Sequence, residues 1–119
     1  MSTTPLAYAP TATWTPLCNQ ADLVPHSGVV AWHQGKQIAL FYLPGQPQEL
    51  YAVCNRDPRS GASVIGRGIV GHLSGQPVVA APLYKQHFCL IDGQCVEDPA
   101  QQLRTWPVRL AGGRVEISD

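Results

Sequence analysis

Charge is scarce in this chain: 13% of its 119 residues are Asp, Glu, Lys or Arg, and 8 basic residues offset 8 acidic ones. That share is about half the usual one. A neutral surface carries no long-range field, so recognition of nucleic acid or of an anionic membrane by bulk charge is excluded, and neither partner is expected. Long apolar runs are missing as well, with none near the roughly 20 residues that span a bilayer. The opening stretch Met1–Pro10 has no basic region followed by an apolar one and does not read as a signal peptide, which predicts a cytoplasmic protein. The four cysteines, Cys18, Cys54, Cys89 and Cys95, form no C-x-x-C pair, so neither a zinc ribbon nor a dithiol redox motif is present, and small buried thiols are expected. Both phosphate-cradling glycine motifs, G-x-x-x-x-G-K-S/T and G-x-G-x-x-G, are absent. His87 and Cys89 can share one face of a strand, but they give two donors where structural zinc needs four. With no Ser-His-Asp order, no paired carboxylates and no cysteine beside a basic group, no catalytic residue is expected.

What the chain has in quantity is turn chemistry, with 11 glycines and 11 prolines. Between the turn signals lie short apolar segments, and none is long enough for a three-turn amphipathic helix. Residues 1–13 read as a flexible arm. Strands are predicted over Trp14–Cys18, Gly28–His33, Lys36–Leu43, Glu49–Cys54, Pro77–Ala81, His87–Ile91, Thr105–Leu110 and Arg114–Ile117. Ile65–Leu73, with three glycines, suits a bulged or bent strand. A capped turn is expected at Asn19–Leu23, and hairpins at Gln34-Gly35, Asp92-Gly93 and Gly112-Gly113. His26 and His33 fall in turn regions without a visible partner, and Trp14, Trp32 and Trp106 are expected in core or edge packing. About ten short strands with regular turns give an all-β sandwich or small barrel in one domain.

Two loops carry a family resemblance. Tyr51–Ala62 resembles the first cluster-binding loop of Rieske iron-sulfur domains, where C-x-H follows a strand, and Val79–Gly93 resembles the second, where C-x-x-H precedes an aromatic residue and another strand. The resemblance implies a Rieske-like antiparallel β-sandwich over residues 14–119, with a small former cluster-binding subdomain at about 57–95. A Rieske cluster takes one Cys and one His from each loop. Here the Cys positions are Asp57 and Ala81 and the His positions are Arg59 and Tyr84, so all four ligands are lost and no metal is expected.

Asn55-x-Asp57-Pro58, Gly66-Arg67-Gly68-Ile69-Val70, Ala81-Pro82-Leu83-Tyr84-Lys85-Gln86-x-Phe88 and Asp92-Gly93-x-Cys95, in this order and with these ligand losses, resemble the small subunit of assimilatory NAD(P)H-dependent nitrite reductase. The resemblance implies a small, noncatalytic, cofactor-free subunit bound to a large one that carries FAD, a [4Fe-4S] cluster and sirohaem, takes hydride from NAD(P)H and reduces nitrite to ammonium. Two other readings stand beside it: a cluster-bearing ferredoxin, which the ligand count disfavours, and a cluster-free binding module outside nitrite reduction. Two roles are expected of the loops. A carboxylate contact from Asp57 to Tyr84 or Lys85 would brace them in place of the metal, with Arg56 or Arg67 nearby. Arg56, Asp57, Arg59, Arg67, Leu83, Tyr84 and Lys85 would form a docking face, its cations steering an acidic partner and Leu83 and Tyr84 anchoring it.

Overall fold

Lys36–Tyr42 and Leu50–Cys54 are apolar almost without interruption, and the fold gives the reason. The computed structural model describes residues 13–119, so the expected arm lies outside the described residues except for Thr13. In chain order the strands are β1 (Thr15–Asn19), β2 (Ser27–His33), β3 (Lys36–Tyr42), β4 (Leu50–Cys54), β5 (Ile69–Leu73), β6 (Gln76–Ala80), β7 (His87–Cys89), β8 (Thr105–Trp106), β9 (Val108–Ala111) and β10 (Arg114–Ile117). They form three antiparallel sheets, β1-β10-β9, β2-β3-β4-β8 and β5-β6-β7. The four-stranded sheet lies between the other two. Both faces of its inner strands β3 and β4 are therefore buried, and a strand buried on both faces needs apolar residues at every position.

Register sorts these residues into two cores. Ile38, Leu40, Leu50 and Ala52 face the terminal sheet and pack with Val108, Val115, Ile117, Leu23 and Trp106. Ala39, Phe41, Tyr51 and Val53 face the small sheet and pack with Ile65, Val79, Phe88, Leu90, Cys95 and Leu103. Phe41 and Phe88 are wholly buried, and a buried side chain of this kind contributes about 1.5–3 kcal/mol. The tight hairpins at Gln34-Gly35 and Gly112-Gly113 have positive φ at both turn residues, as two-residue loops between twisted strands require.

Several expectations are corrected. Ile65–Arg67 is a 3₁₀ turn, and the strand starts only at Ile69. Gly66 and Gly68 serve close approach: a Cβ on Gly66 would lie 2.9 Å from Val30 Cγ2, and one on Gly68 would lie 2.5 Å from the Ala80 carbonyl oxygen. The strand after loop two ends at Cys89, and the turn that follows spans Leu90–Gly93, closed by Gly93 N–H donating to Cys89 O and Cys89 N–H donating to Gln94 O. Pro107 divides Thr105–Leu110 into β8 and β9. Of the cysteines only Cys95 is buried, and Cys18, Cys54 and Cys89 are half-buried. Trp32 is 65% exposed and belongs to no core.

Candidate functional site

Loop one leaves β4 at Asn55, which is buried and fully occupied. Its Oδ1 accepts from Gly66 N–H at 2.7 Å, its Nδ2 donates to Gln37 Oε1 at 2.9 Å, and its backbone carbonyl accepts from Ile65 N–H. One side chain thus ties the root of the loop to β3 and to the 3₁₀ turn. Asn55 carries family resemblance in the sequence, which does not by itself reveal this structural role. The available signal was a polar residue directly after a buried strand, where a buried amide must find partners.

Asp57 is fully buried. Its Oδ1 accepts from Arg59 N–H at 2.8 Å, and its main chain is closed by bonds to Ala62 and Gly61, so it shapes the loop as an Asx turn. The carboxylate brace to Tyr84 or Lys85 does not form, and a side chain that solvent cannot reach offers nothing to a docking partner. The loops meet through another pair. Arg59 stacks on Tyr84 with the guanidinium carbon 4.6 Å from the ring centroid. These are the two positions that the resemblance aligns with the Rieske histidines, and here a cation lies on an aromatic face. Removing either side of an exposed stack of this type costs about 0.5–1 kcal/mol. A double-mutant cycle with Arg59→Ala and Tyr84→Ala, read by chemical denaturation, should return a coupling of about that size; additive losses would mean that the stack does not brace the loops.

Loop two is a closed turn in which Ala81 N–H donates to Gln86 O and Lys85 N–H donates to Ala81 O. It presents Leu83, 57% exposed, and Tyr84, 53% exposed. Lys85 takes a positive φ of 55° at its end. A [2Fe-2S] cluster does not fit this donor set. Asp57 Oδ2 is a buried oxygen without a partner, but the other three positions offer a guanidinium, a methyl group and a phenol in place of thiolate and imidazole. Among the described residues no group of three or more His, Cys, Asp or Glu side chains could hold a metal ion.

The charge at this end is one-sided. Arg56, Arg59, Arg67 and Lys85 are exposed, and none forms an ion pair among the described residues. Arg56 lies at the base of loop one, bridged to Ser63, and Arg67 closes the 3₁₀ turn two residues before Ile69 pairs with Ala80. Carboxylates elsewhere are engaged. Glu116 pairs with Arg109 at 2.7 Å, and Asp119 lies 3.1 Å from His33 Nε2 and accepts from Gln34. His33, expected to be unpartnered, is buried with this contact. The His33 hydrogen bond is the main force holding the Asp119 carboxyl below its ordinary range.

His87 and Glu97 form a second titrating pair. His87 Nδ1 lies 2.6 Å from Glu97 Oε2, and Glu97 Oε1 accepts from His87 N–H. Partial burial pushes the Glu97 carboxyl up, but the backbone and side-chain bonds from His87 outweigh it and set the value below its ordinary 4.5. A lowered folded value means stability present above 4.5 and lost as pH falls through the folded value. Glu97 is 46% exposed, and water screens such a pair to less than about 1 kcal/mol. Melting curves at pH 7 and pH 3.5 should therefore show a slightly smaller acid loss in Glu97→Gln than in the parent; an unchanged or larger loss would contradict the assignment.

Comparison with known proteins agrees with this geometry. The family model described as a Rieske-like [2Fe-2S] domain matches residues 13–118. The nitrite reductase (NADH) small subunit of Salmonella typhimurium is 36% identical over 104 residues, covering 87% of this chain and 95% of that one. The solution structure of the nitrite reductase [NAD(P)H] small subunit from Erwinia carotovora superimposes with a TM-score of 0.74 at 40% identity, covering 89% of this chain and 81% of that one. The nitrite reductase [NAD(P)H] large subunit of Klebsiella oxytoca is 36% identical over 110 residues, which is 92% of this chain but 11% of that much longer protein. The chain belongs to the Rieske-like [2Fe-2S] domain family, within the nitrite reductase small-subunit group.

Proposed function

We propose that this chain is the noncatalytic small subunit of an NAD(P)H-dependent nitrite reductase of nitrate and nitrite assimilation, and that it acts in the cytoplasm by binding the large subunit. The observation that carries this reading is the pair of matches to two kinds of chain: small subunits of nearly the same length, and a 110-residue part of a large subunit. Joining a domain to its partner in one chain makes their contact intramolecular, and it is useful only where the two work in contact. The large subunit supplies the flavin, [4Fe-4S] cluster, sirohaem and NAD(P)H site that six-electron reduction of nitrite to ammonium requires. The present chain supplies a surface. In this proposal the unit at about 57–95 docks through Arg56, Arg59, Arg67, Leu83, Tyr84 and Lys85, while Asp57 only shapes the loop beneath them.

Coexpression of a tagged form with its large subunit tests this. Copurification and faster or longer-lived nitrite-dependent NAD(P)H oxidation than the large subunit gives alone are expected. A large subunit that never copurifies and works equally well alone would overturn the proposal and favour a binding module outside nitrite reduction.

A further inference from the structure

The flank of the molecule carries an unused feature beside β2. This strand is the edge of the four-stranded sheet, and Val30 and Trp32 project from one of its faces with 47% and 65% exposure. Val30 continues onto the 3₁₀ turn, where its Cγ2 closes over Gly66. Trp32 borders a cleft of about 360 Å³ that is also lined by Lys36, Gln37, Cys54, Arg56 and Ser63. The other two tryptophans each carry an arginine: Arg109 lies 4.3 Å from the Trp14 ring centroid and Arg104 lies 4.4 Å from that of Trp106. Trp32 has no stacked guanidinium among the described residues. Lys36 and Arg56 are exposed and form no ion pair among the described residues. The floor is rigid, because the Gln37 Oε1 there is held by Asn55, which in turn holds Gly66.

We propose that this cleft is a second docking site, adjoining the loop tip at Arg56 but reaching beyond it to Lys36 and Trp32, which takes an acidic segment of the large subunit. A carboxylate of that segment lies against Lys36 and Arg56, and an apolar side chain beside it covers Trp32 and Val30. The charge argues for this occupant, since two cations without an ion pair among the described residues flank an exposed indole on a protein of zero net charge, and tryptophan and arginine are the residues that most often dominate interface energy. Pre-organisation argues for it too, because a floor already hydrogen-bonded has little left to order when a ligand arrives. The proposal rests on the large subunit being the partner.

The test measures the affinity of the intact large subunit for the parent chain, for Trp32→Ala and for Lys36→Glu, leaving Arg56 in place because it also borders the loop tip. Each variant is expected to bind at least about tenfold more weakly, as loss of a central aromatic or reversal of a contacting charge does at a desolvated contact. Both should melt at the parent temperature, since both side chains are exposed, and Lys36→Glu should also flatten the salt dependence of binding. Affinities within twofold of the parent would overturn the cleft proposal and leave docking at the tip standing. No complex with the parent chain would overturn both. If instead NADPH perturbs a 5-fluorotryptophan resonance assigned to Trp32 while both variants keep parental affinity, the cleft takes a nucleotide and the docking proposal falls.

Discussion

Gly93→Ala is expected to lower stability by about 3 kcal/mol and the melting temperature by roughly 15 °C. Two costs add at this position. The backbone there has φ +79°, a left-handed conformation that alanine adopts only at a cost of about 1 kcal/mol or more. A Cβ would also lie 2.0 Å from the Leu103 carbonyl oxygen, a distance no real contact reaches. Leu103 has nowhere to go. Its N–H donates to Gly93 O, and its side chain belongs to the core under the small sheet. Gly113 separates the two costs, because its φ is +81° with nothing within 4 Å of the position a Cβ would take. Gly113→Ala should therefore cost only the backbone part, about 1 kcal/mol. Equal losses in the two variants would refute the steric argument and leave backbone strain alone.

The contrast between these glycines also marks what a sequence can say about this fold. Gly112-Gly113 reads as a tight hairpin and is one, because a two-residue turn is decided by the residues in it. Asp92-Gly93 carries the same signal, but the turn is wider and Gly93 is required by Leu103, ten residues on. The same limit applies to the strands. Local apolar content locates β3 and β4, yet the layer on each side of them is set by register with strands far along the chain. In the loops, the resemblance to Rieske domains singles out Asp57, Arg59, Ala81 and Tyr84 by their alignment with its ligand positions. What these side chains do is a matter of their direction. Asp57 turns inward to cap its own loop, and Arg59 crosses to Tyr84. For Trp32 the sequence allows core or edge packing, and only the strand order, with β2 at a sheet edge, decides for the exposed position.

Arg59→Glu combined with Lys85→Glu should weaken association with the large subunit by about a hundredfold at physiological salt, a loss of roughly 3 kcal/mol. The reason is local. The protein is neutral overall, the one carboxylate of loop one, Asp57, is buried, and the cations at the tip form no ion pair among the described residues, so their charge is left to act on a partner. The double reversal changes the charge presented by the tip by four units and removes the Arg59–Tyr84 stack. Loss of the stack alone would destabilise the loops only slightly, by about 0.5–1 kcal/mol, so Arg59→Ala serves as the control for shape without charge reversal. The electrostatic part should reside mainly in the association rate and should shrink as salt shortens the screening length from about 8 Å at 0.15 M towards 3 Å at 1 M. Arg114→Glu reverses an exposed charge at the start of β10, in the terminal sheet, and should leave affinity unchanged. If Arg114→Glu weakens binding as much as the tip variant does, docking depends on net charge and not on this surface. If the tip variant binds like the parent while the Lys36→Glu variant does not, the interface lies on the β2 flank, and the two loops have no part in it.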